Sequence, residues 1–290
     1  PLSFNQWEAT FNLYKKIPEY QLLNSSMTLD EFKIIFWWEY IHRLLGRIVG
    51  LVYIIPLIYF TIKKKITITN LLILYFIFFL ICLQGFIGWY MVSSGLTERT
   101  DVSHYRLSLH LTLAFVIFIL LVWNYLKITI NYKNNHLSQI PFYLPAFFLI
   151  FILLQISIGA LVSGLNAGEI YQSWPLMNQN YFPDDSNIKD LFGLNVFENP
   201  SLIQFIHRNL AYLIFLIFII MLIIVFKNKN LFYLKKNIII LFAALLLQIL
   251  LGILTILSGA QIILASLHQI GSIFLITASL ILVFKNSKIN

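Results

Sequence analysis

The sequence predicts an all-α, polytopic membrane protein. Of its 290 residues, 59% are hydrophobic and only 11% are charged, whereas a soluble domain carries about 25% charged residues. Seven apolar runs are each long enough to cross a bilayer as a helix, which takes about 20 residues. The runs are continuous, unlike the short alternating strands of a transmembrane barrel. The composition therefore excludes a disordered chain and argues against a soluble globule.

Charged and small residues mark the ends of these runs. The spans are expected at residues 41–62, 70–92, 107–126, 141–162, 203–226, 237–258 and 261–284. Lysines follow the first, third, fifth and seventh spans, and a Ser-Gly pair lies near the outer end of the second, fourth and sixth. The first 35 residues are mixed and polar, which is not typical of a cleaved signal peptide.

The net charge of +8 is divided between the two sides of the membrane. One set of connections contains lysines and no acidic residue: Lys63, Lys64, Lys65, Lys127, Lys133, Lys227, Lys229, Lys235, Lys236, Lys285 and Lys288. The opposite connections contain acidic residues: Glu98, Asp101, Glu169, Asp184, Asp185, Asp190 and Glu198. The positive-inside rule then places the C-terminus inside and residues 1–40 outside. The distribution of charge indicates the topology and does not indicate nucleic-acid binding. Contact of the lysine-rich connections with anionic lipids is an open alternative.

Two short motifs occur twice and indicate an internal duplication. Tyr40-Ile41-His42-Arg43 resembles Phe205-Ile206-His207-Arg208, and Ser108-Leu109-His110 resembles Ser266-Leu267-His268. The spacing between the two histidine motifs is similar in both copies. Equivalent spans cross in the same direction, so we expect two halves of parallel orientation.

Three other spans share the pattern Leu-Gln-x-x-x-Gly, with its glutamine at Gln84, Gln155 and Gln248. The second half contains two such spans and the first half contains one. We therefore expect the complete protein to form two pseudosymmetric four-helix bundles, with the first helix of the N-terminal half missing from a sequence that begins at Pro1. A seven-helix protein that has lost this span is the alternative. The glycines of the pattern would permit close helix approach or leave room for a macrocycle.

This organisation predicts four segments. They are an outer segment at 1–40, an N-terminal half-bundle at 41–127, an inner loop at 128–140 and a C-terminal four-helix bundle at 141–290. The loop residue His136 is expected to be solvated.

Four histidines near the outer ends of spans occupy the duplicated positions: His42, His110, His207 and His268. Ionisable groups inside a membrane are costly and indicate function. Histidines on different helices of a bundle can face each other across its core, and neutral imidazoles are good axial ligands of haem iron. We therefore expect one haem site in each half, formed by His42 with His110 and by His207 with His268. Zinc and di-iron sites are disfavoured because the spans offer almost no Cys, Asp or Glu.

Arginines accompany these histidines. Arg43 and Arg208 each directly follow a histidine, and a guanidinium there is expected to bind haem propionates through bidentate contacts. The alternative is an interfacial arginine whose charged end reaches water. Arg47 lies one helical turn beyond Arg43 and also requires an anionic partner.

A single carboxylate distinguishes the two halves. Glu39 lies three residues before His42, and the duplicated position holds Gln204. A carboxylate beside one haem site could act as a general base or bind a reaction intermediate. The alternative is a surface glutamate stabilised by the helix dipole.

In order along the chain, these segments resemble the haem A synthase family over essentially all 290 residues. The resemblance is carried by residues 36–47, 83–92, 105–110, 159–162 and 174–178, together with His207-Arg208 and His268-Gln269. The run Trp174-Pro175-Leu176-Met177 is similar to the alphaproteobacterial and mitochondrial branch, as is the lack of a cysteine pair in the first outer loop. The family has eight helices, so the missing first helix is a departure.

The resemblance implies an enzyme that oxidises the C8 methyl of haem O to a formyl group by successive hydroxylations, producing haem A for cytochrome c oxidase. It implies that His207 and His268 bind haem b as cofactor in the C-terminal half. His42 and His110 would flank the substrate haem O in the N-terminal half. Glu39 matches the family's Glu-x-x-His pattern and is the expected catalytic residue, which would stabilise a cationic methyl intermediate or position water.

Other functions and partners stay open at this stage. A bis-histidine di-haem electron carrier of b type is the main alternative, and a haem transporter or assembly factor is a third. The expected surroundings are a bacterial plasma membrane or a mitochondrial inner membrane, with the C-terminus on the cytoplasmic or matrix side. Expected partners are the lipid bilayer, haem O synthase, an electron acceptor or donor system and, as an open possibility, further copies of this chain.

Overall fold

The computed structural model describes residues 1–95, 100–130, 139–141 and 143–287. Within these residues the α-helices are α1 (Phe4–Tyr14), α2 (Pro18–Leu22), α3 (Leu29–Ile62), α4 (Ile68–Val92), α5 (His104–Thr129), α6 (Tyr143–Gly164), α7 (Pro200–Lys227), α8 (Lys235–Leu257) and α9 (Ile262–Asn286). Four residues used in the sequence analysis lie outside the described part: Glu98, Lys133, His136 and Lys288.

Helices α3 to α9 are each long and apolar enough to cross a membrane. They correspond one to one with the seven predicted spans, and the described residues contain no strand beyond an isolated bridge between Met177 and Asn180. The predicted all-α, polytopic architecture is therefore confirmed.

Helix α3 begins at Leu29, well before the first predicted apolar run. A capping box sets this start, because the Thr28 side chain accepts a hydrogen bond from the backbone N–H of Glu31 and the Glu31 carboxylate accepts one from the backbone of Thr28. Such a reciprocal pair satisfies backbone donors that a helix N-terminus otherwise leaves open. The helix consequently carries Glu39 and His42 in its interior.

The structure divides into two compact units, of which the first is Pro1–Ile117. Within it α1 packs on α3 through aromatic rings, with Trp7 and Phe36 centroids 5.0 Å apart and Phe11 and Phe32 centroids 5.1 Å apart. Helix α3 also packs on α4. Only 6% of the most apolar stretch of α3 is buried inside the protein, so most of its surface is available to lipid or to other protein.

The second unit is Phe118–Asn290. Its helices α6, α7, α8 and α9 pack in a closed ring, each against two of the others. Helix α9 is the most enclosed, with 56% of its most apolar stretch buried. The Asn286 side chain near its end bonds both backbone groups of Ile140, at 2.8 and 2.9 Å. This unit is a four-helix bundle, which can hold side chains of facing helices at fixed separations.

Residues 165–199, called the cap here, join α6 to α7 within the second unit. The cap includes the 3-10 turn Ala167–Glu169, which contacts α6, α7 and α8. The Tyr171 hydroxyl donates to Asp184 at 2.5 Å, and the Ser201 hydroxyl at the start of α7 donates to Asp185 at 2.6 Å. Tyr171 and Met177 are buried.

Two of these contacts change acid–base behaviour. Burial, together with the hydrogen bond to Asp184, raises the pKa of Tyr171 to about 12. Burial also acts to raise the pKa of Asp185, but hydrogen bonds from the hydroxyls of Ser201 and Ser186 outweigh it and hold that pKa below its ordinary value. Tyr171 is therefore a neutral donor and Asp185 an ionised acceptor near pH 7.

Candidate functional site

The four duplicated histidines lie in two pairs, one pair in each unit. His42 on α3 and His110 on α5 belong to the first unit, and His207 on α7 and His268 on α9 belong to the second. His42 is exposed, whereas the other three are half-buried. The residues that the sequence paired thus lie in the same unit, while their pairing as iron ligands stays a prediction.

A glutamine from the preceding helix holds three of the four histidines. In each case the amide nitrogen Nε2 of the glutamine donates to the backbone carbonyl of the histidine. The distances are 3.0 Å for Gln84 to His110, 2.9 Å for Gln155 to His207 and 2.7 Å for Gln248 to His268. The same nitrogen also lies 3.3 Å from Nε2 of the His110 ring and 3.1 Å from Nε2 of the His207 ring.

A glycine one turn beyond each glutamine contacts the same imidazole. A Cβ atom built on the glycine would lie 2.9 Å from Cε1 of the ring for Gly88 and His110, 3.1 Å for Gly159 and His207, and 3.0 Å for Gly252 and His268. Real Cβ contacts are rarely this short, so a larger residue would displace the ring. We call each glutamine, its glycine and the histidine they contact a cradle.

The cradles leave polar atoms without hydrogen-bond partners. The ring nitrogen Nδ1 of His110, His207 and His268 is buried and unpartnered among the described residues, and so is the amide oxygen of each cradle glutamine. Buried polar atoms are normally hydrogen-bonded, because an unmade bond costs free energy in an apolar interior. Such atoms around paired imidazoles fit the binding of a further group.

In the second unit, side chains of α7 hold the cap. The Arg208 Nη2 atom donates to the Tyr171 carbonyl at 2.9 Å, and Nη1 donates to the carbonyls of Ser173 and Leu176 at 2.9 and 3.2 Å. Gln204 Nε2 also donates to the Tyr171 carbonyl, at 3.1 Å. Arg208 is buried, and its Nε atom has no hydrogen-bond partner among the described residues.

Arg208 is therefore a buried cation whose observed acceptors are neutral carbonyls. The ion pairs within the described residues are Lys33 with Asp30 and Arg43 with Glu39. A buried charge without a counter-charge is costly, so this position favours an anionic ligand. The predicted propionate contact of Arg208 stays a prediction, and its two Nη atoms also serve the cap.

The equivalent residues of the first unit pair with each other. Arg43 Nη2 donates to Glu39 Oε2 at 2.8 Å, and both side chains are about half exposed. Arg47 is exposed one turn further along α3, and a Cβ on Gly46 would meet no atom within 4 Å. Glu39, Arg43 and Arg47 thus follow one another along α3 beside His42.

The two histidine pairs fit a haem better than a bare metal ion. Each pair offers two imidazoles from different helices, and neutral imidazole is a common axial ligand of haem iron. Within the described residues, no group of three or more His, Cys, Asp or Glu could hold a metal ion. The donor set and the cradles are therefore appropriate for a flat iron-containing macrocycle.

Some features of the site do not follow from the sequence pattern. The Leu-Gln-x-x-x-Gly pattern predicts close helix approach or room for a macrocycle. It does not predict that its glutamine contacts a histidine. The sign of this contact in the sequence is that the pattern occurs three times.

His104 at the start of α5 is buried, and the centroid of its ring lies 4.2 Å from that of the Tyr105 ring. Cys82 is exposed on α4.

Comparisons with known proteins identify the family of this chain. Residues 1–280 match the COX15-CtaA family, described as cytochrome oxidase assembly protein. The chain is similar to the haem A synthase of Pelagibacter ubique, with 49% identity over 99% of this chain and 84% of the relative. It is also similar to the haem A synthases of Rhizobium etli, with 42% identity over 94% of this chain and 74% of the relative, and of Rickettsia felis, with 43% identity over 96% and 82%.

Proposed function

Since this chain belongs to the COX15-CtaA family and is an integral membrane enzyme of haem A biosynthesis, we propose that it oxidises the C8 methyl of haem O to a formyl group. The reaction proceeds by successive hydroxylations and supplies haem A for cytochrome c oxidase. The observation that carries this proposal is the difference between the duplicated sites: Glu39 stands beside His42, whereas Gln204 stands at the equivalent position.

The second unit is the proposed site of the cofactor, haem b. His207 and His268 would be its axial ligands, which is supported by their place in one four-helix bundle and by their unpartnered ring nitrogens Nδ1. The buried cation of Arg208 supports a propionate partner, with Nε as the donor not engaged by the cap. When bound, an iron porphyrin supplies one-electron redox chemistry to the site.

The first unit is the proposed substrate site. His42 and His110 would flank haem O, with the Gln84 cradle holding His110. Arg43 and Arg47 would attract its propionates, because both guanidinium groups are exposed on α3 near His42.

Glu39 is the proposed catalytic residue. Oxidation of a methyl group withdraws electrons from its carbon, so positive charge develops there and a nearby carboxylate stabilises it. An ionised carboxylate also accepts hydrogen bonds and can orient water toward the carbon. The 2.8 Å contact with Arg43 holds this side chain on α3.

The test is a conversion assay on the full-length protein in membranes that contain haem O. Extracted pigments are separated and their masses are measured. We expect hydroxylated haem O and haem A to accumulate with time. If an intact, haem-loaded protein yields neither product, the enzyme proposal fails, and a reduced-minus-oxidised spectrum of two bis-histidine haems would favour the electron carrier.

Topology and partners complete the proposal. The lysine-rich connections favour a C-terminus on the cytoplasmic side of a bacterial plasma membrane or on the matrix side of a mitochondrial inner membrane. The reaction needs a supplier of haem O, for which haem O synthase is the proposed partner. It also needs an acceptor for the withdrawn electrons. Assembly into a homo-oligomer is compatible with the exposed apolar surface of α3.

A further inference from the structure

We propose that three glutamines position the haem-binding histidines: Gln84, Gln155 and Gln248. Each acts together with the glycine one turn beyond it, as the cradle geometry indicates. The inference rests on the proposed function, in which the cradled histidines bind haem.

Helix packing alone does not explain the glutamines. Each lies in a strongly apolar helix, where a primary amide must be desolvated. The amide oxygen of every cradle glutamine has no hydrogen-bond partner among the described residues. The carbonyl that each glutamine binds lies inside a helix, where it can already accept the regular helical hydrogen bond. Burying the amide therefore costs free energy that an apolar side chain would not. The contact that all three glutamines share is with a histidine.

The cradle restricts the imidazole from two directions. The glutamine nitrogen holds the backbone of the histidine and, for His110 and His207, also approaches Nε2 of the ring. The glycine faces Cε1 of the ring and leaves no room for a methyl group at ordinary contact distance. The glutamine thus holds the backbone position of the histidine, and the glycine limits the rotation of its ring. Both affect how an axial ligand meets its iron. Residues that orient metal ligands in this way typically change metal affinity or activity about 10- to 100-fold when replaced.

The recurrence of the cradle supports a functional origin. Gln84 serves the proposed substrate site, and Gln155 and Gln248 serve the proposed cofactor site. The same contact is therefore made at both kinds of site, with donor–acceptor distances between 2.7 and 3.0 Å. Replacements should consequently have different effects in the two units, and this difference makes the inference testable.

The first experiment uses the full-length, haem b-loaded protein with Gln155→Met or Gln248→Met. Methionine keeps the length of the side chain and removes the donor. We expect an altered low-spin electron paramagnetic resonance spectrum and about 10- to 100-fold faster transfer of haem b to apomyoglobin. The matched controls Leu154→Ala and Leu247→Ala change exposed neighbours on the same helices, and they should leave both readouts as in the unmodified protein.

A second set of variants covers the case in which the methionine variants fail to fold. A Cβ on Gly271 would overlap the amide oxygen of Gln248, so Gly271→Ala displaces that amide and leaves His268 in place. We expect it to change the spectrum as Gln248→Met does. In the first unit, Gly88→Ala should lower haem O conversion while the haem b spectrum is retained. Gly85→Ala, whose Cβ meets no atom within 4 Å, should preserve both conversion and spectrum.

The outcomes separate this inference from the proposed function. If His207→Ala abolishes the low-spin spectrum but Gln155→Met, Gln248→Met and Gly271→Ala match the unmodified protein, the glutamines do not position the ligands and the inference is wrong. If His207→Ala retains the spectrum, the ligand assignment is wrong and the inference falls with it.

Discussion

At the scale of single residues, one substitution between duplicated helices gives the two units different contacts. Gln204 and Arg208 both donate to the carbonyl of Tyr171, whereas Glu39 and Arg43 pair with each other. The amide of Gln204 holds the cap, whereas the carboxylate of Glu39 at the equivalent position supplies negative charge. The arginine consequently has a structural duty in the second unit and a side-chain counter-charge in the first.

Replacing Glu39 tests the carboxylate directly. Glu39→Gln keeps the shape of the side chain and removes its charge, so turnover of haem O should fall by about 10²-fold or more, while the haem b spectrum is retained. The measurement is the initial rate of product formation, determined by pigment extraction. Glu8→Gln on α1 is the matched control, because Glu8 is exposed and lies outside the site. A turnover of the Glu39→Gln variant equal to that of the unmodified protein would remove this residue from the mechanism.

At the scale of elements, the cap depends on polar contacts that the hydropathy of the helices does not encode. Ser201 at the start of α7 holds Asp185, and Arg208 further along the same helix holds Tyr171. The pKa of Asp185 is held below its ordinary value of 3.8 in the folded protein. A carboxyl group with a lowered folded-state pKa stabilises the fold above its unfolded pKa and loses this contribution as the pH falls toward the folded value.

The cap should therefore loosen in acid. Between pH 6 and pH 3, hydrogen exchange of residues 165–199, corrected for intrinsic rates, should increase by a factor of a few, since exposed charged contacts contribute about 0.2–1 kcal/mol. Asp185→Asn should show the faster exchange already at pH 6 and a weaker dependence on pH. A pH dependence in Asp185→Asn as large as that of the unmodified protein would assign the effect to another group.

Hydropathy predicted the membrane-spanning elements well, because each of the seven apolar runs is long enough to cross the membrane as a helix. It did not predict the start of α3, since the capping box of Thr28 and Glu31 lies in a polar segment. The duplicated motifs predict the pairing of histidines, which stays a prediction. The contacts of Gln84 and Arg208 could not be predicted. They depend on which faces of two neighbouring elements pack together, and a single sequence does not specify that packing.

At the scale of the whole molecule, two units of related sequence carry one histidine pair each. The second unit is a closed ring of four helices whose cap is held by α7, which suits a cofactor that stays bound. The first unit carries Glu39 one helical turn before His42 on α3, which provides the carboxylate proposed for the reaction. The central claim is that duplicated sites have been assigned different tasks.

The most direct test compares His110→Ala with His207→Ala in the full-length protein supplied with haem O. The measurement combines the low-spin haem b spectrum with the haems extracted from each purified variant. The account predicts that His110→Ala retains the haem b spectrum and accumulates unconverted haem O, whereas His207→Ala loses the haem b spectrum. Loss of haem b in His110→Ala together with its retention in His207→Ala would contradict the assignment of the two units.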